Sequence, residues 1–194
     1  MNAATDFMTL LVAAVLVNNL AVVQLLGVSA FFAASKRVSN AVYLGSLTAV
    51  TIAITVPVNY LARSEVLSPA GLEILDLIVF ASVAACCAIM VCRIAGRYFP
   101  LSARRLHWQV LLVGGNSGVL GLALLHATSP AGFVSVLVTS AGAAFGFLLV
   151  TVLFAAMRER LQYADVPTPF QGPAIALVSA GLVAMAFLGF TGLA

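Results

Sequence analysis

Long, continuous apolar runs separated by short polar stretches dominate this chain. Six can be delimited, at roughly 7–32, 41–61, 74–94, 110–125, 132–157 and 173–192. Each approaches the ~20 residues that a helix needs to cross a bilayer. The apolar positions do not alternate, so helices are predicted and not the strands of a membrane barrel. The expected fold class is all-α integral membrane, one domain covering 1–194. The connections are too short to hold a soluble catalytic domain. The longest on the basic side, Arg158 to Gly172, is broken by Pro167 and Pro169. Met1 to Thr9 carries no basic stretch, and the first apolar run exceeds the 7–15 residues of a signal-peptide core, so it is read as a span.

Composition sharpens this picture. Hydrophobic residues make up 63% of the chain and charged residues 8%, against about 25% charged in a soluble domain. Too few charges remain to cover a water-facing surface, so the surface faces lipid. The net charge of +3 does not point to nucleic acid, because the basic residues sit at the ends of apolar runs. With the N-terminus outside, Lys36, Arg37, Arg93, Arg97, Arg104, Arg105, Arg158 and Arg160 fall inside and Arg63 alone falls outside. The positive-inside rule therefore predicts a multi-pass inner-membrane protein with both termini on the outer side. Trp108, beside Arg104 and Arg105, suits an interfacial belt.

Three spans in each half place the second half inverted relative to the first. Each half opens with a span carrying polar and small residues: Asn18, Asn19, Gln24, Gly27 and Ser29 in one, Gly114 to Gly118 with Asn116, then Gly121, in the other. Interrupted first and fourth helices in two inverted three-helix repeats are predicted, with a site near the midplane. Each span taken alone also suits simple helix packing through small residues and amides. Marks at matching places in both halves favour the site. None of its polar groups is ionisable. Asp6, Glu65, Glu73, Asp76, Glu159 and Asp165 lie near span ends or in loops, which argues against a carboxylate-based ion pump within this chain. Glu73 and Asp76 read as a solvated helix start.

Cys86, Cys87 and Cys92 lie in the third run. Cys92 points about 120° from Cys86 and about 140° from Cys87 at the helical turn angle, so they make no ligand set. His107 and His126 have no second ligand near in sequence, and no metal is assigned. Gly142 and Gly146 form a GxxxG face on the fifth span; Gly181, Ala184 and Gly189 are expected to pack closely on the sixth. No GxGxxG after a strand and no phosphate loop marks a nucleotide, flavin or nicotinamide site.

The stretch from Val15 through Asn18-Asn19 to Gly27, followed by Ala34-Ser35-Lys36-Arg37, resembles the start of the RnfA/NqrE family of Rnf/Nqr membrane subunits. So does Gly114-Gly-Asn-Ser-Gly-Val-Leu-Gly121, and most closely Leu153 to Gly172 with its continuation to Gly192. The resemblance implies a subunit of an Rnf/Nqr complex that moves electrons between ferredoxin or NADH and NAD or quinone, coupled to Na⁺ or H⁺ movement. It implies a homologous six-helix partner of opposite orientation, among other complex subunits. It also implies an iron–sulfur cluster shared by the pair, with two cysteines from each member. The matching positions here are Ser29 and Ser117. Alcohols are far less acidic than the thiols whose thiolates hold such clusters, so no cofactor is carried over on these residues. Two alternatives follow: a redox-inactive scaffold or assembly paralogue, and a small inverted-repeat transporter using Asn18, Asn19 and Asn116.

Overall fold

The structure, a computed structural model, describes residues 3–98, 103–127, 132–165 and 167–190. The end of the sixth run at 191–192 and the side chains of Asp6, Arg104 and Arg105 lie outside the described residues. Among the described residues every regular element is helical. The helices are α1 (Ala3–Val12), α2 (Val28–Ala34), α3 (Val38–Ala62), α4 (Asp76–Tyr98), α5 (Ala103–Gly114), α6 (Ser117–Ala127), α7 (Phe133–Leu161) and α8 (Pro173–Leu188).

Four helical stretches are long and apolar enough to cross a membrane: Val38–Leu67, Glu73–Tyr98, His107–Ala127 and Phe133–Leu161. The helices run past the apolar runs read from sequence. α7 continues through Arg158, Glu159 and Arg160 to Leu161, and α5 begins at Ala103, before the fourth run. Charge placement explains the extra turns, because long basic side chains at span ends reach the interface without breaking the helix.

The first run is not one helix. α1 passes into a π-helical turn, Ala13–Val17, and the chain then loses helical form until Val28. The fourth is interrupted more briefly, between α5 and α6. α3 and α7 make the most extensive helix contact and carry the core. Phe80, Phe147, Phe154, Ile52 and Val56 are fully buried there, with Leu20 and Val119 from the interrupted spans.

The two glycine faces expected to pack behave oppositely. A Cβ on Gly142 would sit 2.8 Å from Ala14 Cβ, and one on Gly146 would sit 2.8 Å from Val15 O. The first interrupted span thus lies directly against the α7 backbone. The expectation fails on α8: a Cβ on Gly181 meets nothing within 4 Å, and one on Gly189 meets only Ala186 O of its own helix. Ala184 packs against the core from one side. These glycines leave space beside α8 because, among the described residues, no neighbouring helix of this chain comes close enough to use it.

Candidate functional site

The two interruptions meet. Their chemistry begins with asparagine, whose short amide competes with the helix for backbone partners. Asn19 is completely buried. Its Nδ2 donates to Val15 O at 2.9 Å, a carbonyl left over where the π turn ends. Its Oδ1 accepts from the N–H groups of Ala21 at 3.1 Å and Val22 at 3.4 Å. One side chain therefore serves freed backbone groups on both sides of the break, as a membrane interior demands. The chain then curls through a tight turn in which Leu26 N–H donates to Leu20 O. Leu25 and Gly27 adopt positive φ, at 54° and 75°.

Asn116 repeats the device in the second half. It is 1% exposed, and its Oδ1 accepts from Gly118 N–H at 2.8 Å, capping α6. The breaks are joined across 90 residues of sequence, where Gly27 N–H donates to Ser117 Oγ at 2.9 Å. That bond satisfies a donor at the start of α2 that has no intrahelical partner. Glycine is required at position 27 for two reasons. Its φ is left-handed, and a Cβ would lie 2.5 Å from Asn116 Oδ1. Gly118 and Gly121 lie beneath Leu20 and Leu26, so each break fills the small-residue surface of the other.

The polar residues singled out in the sequence divide into two sets. Asn19 and Asn116 are interior and hold the breaks in shape. Asn18, Ser29 and Ser117 are exposed, and Gln24 is half-buried. Among the described residues, Gln24 Oε1 and Asn116 Nδ2 are buried without a hydrogen-bond partner. Ser29 stands in the first turn of α2, two residues from the Gly27–Ser117 contact.

These residues do not fit an iron–sulfur cluster. Thiolate sulfur is the normal ligand, and both family positions offer alcohol oxygen. The Ser117 Oγ already accepts a backbone N–H. No cysteine substitutes for them: Cys86 is exposed, Cys87 half-buried, and Cys92 is packed among Leu47, Ala88, Val91 and Val113, away from both serines in sequence and element. The ring nitrogens of His126 lie 3.0 Å from Leu122 O and 2.8 Å from Thr139 Oγ1, linking α6 to α7.

Two supporting contacts were not legible in the sequence. Arg158 of α7 donates through Nη1 to Phe32 O at 3.2 Å and to Ser35 Oγ at 2.8 Å, closing the C-terminal end of α2. Its neighbour Glu159 accepts Val38 N–H at 3.1 Å, capping α3. Phe31 and Phe32 pack on Phe154 in the same clamp, with centroids at 4.7 and 5.6 Å. At the opposite end, Arg63 pairs with Asp76 at 3.2 Å and with Glu73 at 3.9 Å. The helix start expected to be merely solvated therefore pairs with Arg63.

A model of the Rnf-Nqr subunits, described as membrane proteins, matches residues 7–194. The chain is 40% identical to a subunit of the ion-translocating oxidoreductase complex of Aliivibrio fischeri, over 97% of its own length and 98% of the relative's. Proteins of the same description from Vibrio cholerae and Pseudoalteromonas atlantica are each 39% identical, with the same shares covered.

Proposed function

The chain belongs to the Rnf-Nqr family of membrane subunits, and from that premise we propose that it serves an ion-translocating oxidoreductase complex as a subunit whose paired breaks carry no iron–sulfur ligands of their own. It is a membrane subunit of an Rnf/Nqr-type complex. In this reading the whole of 1–194 is one membrane domain of six spans, in two inverted three-span halves, with both termini on the outer side of the inner membrane. The complex passes electrons between ferredoxin or NADH and NAD or quinone and couples this to Na⁺ or H⁺ movement.

The exposed polar rim of the breaks carries the reading. Asn18, Ser29 and Ser117 are exposed in the middle of apolar spans. Irregular backbone and unpaired polar groups at membrane depth are tolerated only against protein or a water-filled cavity. A second subunit covering this rim supplies what lipid cannot. A homologous six-helix partner of opposite orientation meets the requirement, because its own breaks would present the same kind of surface.

The test is purification of the complex through a tag on this chain, with single cysteines introduced at Asn18 and Ser29. Co-purification of a homologous six-helix protein, and cross-links from both positions to it, are expected. Recovery of the chain without such a homologue, or thiols freely labelled in the assembled complex, would overturn the reading. The serine pair also favours a second reading, a redox-inactive scaffold. It predicts that Ser29→Ala and Ser117→Ala variants that still assemble keep full coupled electron transfer.

A further inference from the structure

Away from the breaks, a cavity of about 780 Å³ opens on the side of the Lys36 and Arg158 clamp, between the end of α2, the end of α7 and the start of α8. That volume lies within the ~300–1,000 Å³ of ordinary ligand sites. Its mouth carries Lys36, which is exposed, and Arg158, which is half-buried. Neither charge is neutralised: among the described residues the ion pairs are those of Arg63, and Glu159 is turned to the Val38 N–H. Deeper in, the walls become apolar. Phe32 and Leu177 are shared with a second compartment of about 190 Å³, which runs beside Ala180, Gly181 and Ala184. The two cavities adjoin at Phe32 and Leu177, the larger bordered by Lys36 and Arg158 and the smaller lined by apolar side chains.

We propose that the two cavities together are a binding site for one anionic phospholipid. Its phosphate lies at Lys36 and Arg158, and one acyl chain follows Phe32 and Leu177 into the compartment beside Gly181. Basic pockets between membrane helices suit anionic headgroups on charge grounds. The narrow end selects the occupant. A helix is about 10 Å across with its side chains and does not fit about 190 Å³, whereas an unbranched hydrocarbon chain does. The absent side chain of Gly181, with nothing within 4 Å of its Cβ position, is what leaves that end open. The acyl compartment is also lined by Ala21, Val22, Leu25 and Val28 at the first break, so the site needs no redox role but borders the surface assigned above to a partner subunit.

The test uses the purified complex, delipidated and then exchanged with phosphatidylglycerol or phosphatidylcholine, with bound lipid counted by native mass spectrometry. Retention of phosphatidylglycerol over phosphatidylcholine is expected. Lys36→Glu should lower phosphatidylglycerol retention at least about fivefold, the scale of one interfacial cation, while Lys36→Arg preserves it. Gly181→Leu should lower retention of both lipids alike by closing the acyl compartment. Millimolar inorganic phosphate should leave the lipid bound. Equal retention of the two lipids, indifference to Lys36→Glu, or full displacement by phosphate would overturn the proposal. So would a Lys36→Cys cross-link to another protein of the complex with no lipid retained, which would assign the cavities to a protein interface.

Discussion

The same small-residue signal appears on α7 and on α8, with opposite outcomes. On α7, Gly142 and Gly146 receive the first interrupted span so closely that a single Cβ would collide with Ala14 or Val15. On α8, Gly181 faces a gap. The α7 face is filled by a segment of its own chain that cannot go elsewhere, because the break at Asn19 must bury its amide and its freed backbone. Among the described residues, the α8 face at Gly181 has no such obligate neighbour. A glycine stripe therefore reports that close approach is possible; a buried polar requirement decides whether a particular segment makes it.

The contrast can be broken at four positions, read as thermal unfolding of the solubilised protein. Gly146→Leu should have the largest effect, at least ~3 kcal/mol, the upper end of overpacking costs, because its obstacle is the Val15 backbone and not a flexible side chain. Gly27→Ala comes next, at about 2–3 kcal/mol. The left-handed φ accounts for about 1–2 kcal/mol of this, and the contact with Asn116 Oδ1 for the remainder. Ser117→Ala should cost about 1 kcal/mol, since it leaves the Gly27 N–H without its acceptor; Ser117→Thr should restore most of it. Gly181→Leu should change stability by less than ~0.5 kcal/mol, as a substitution into open space. A Gly181→Leu loss as large as that of Gly146→Leu would erase the distinction between the two faces.

Much of the architecture was legible because membrane helices write themselves as long apolar runs. The interruptions were legible too, because Asn18-Asn19 and Gly114 to Gly118 are poor material for a span interior. Local chemistry did not say which asparagine does the work. Asn19 turns inward and binds the break together while Asn18 is exposed, and that choice depends on the turn of the preceding π helix. The Arg158 and Glu159 clamp was hidden for another reason. Its partners at Phe32, Ser35 and Val38 lie more than 120 residues away in sequence, so the two residues read only as orientation charges. The α8 expectation failed because sequence shows a surface and not its neighbour.

The serine pair was visible from the start, and the structure gives one of its members a different task. Ser117 spends its hydroxyl on joining the two breaks, which is a structural use of a position where the family resemblance implies a cysteine. The most direct measurement is iron and acid-labile sulfide content with EPR on the purified complex, comparing the native chain with a Ser29→Cys, Ser117→Cys double variant. The native complex should show no cluster signal that depends on these two positions, with any new signal confined to the cysteine variant. A native cluster signal that disappears in Ser29→Ala or Ser117→Ala complexes that still assemble would contradict the account.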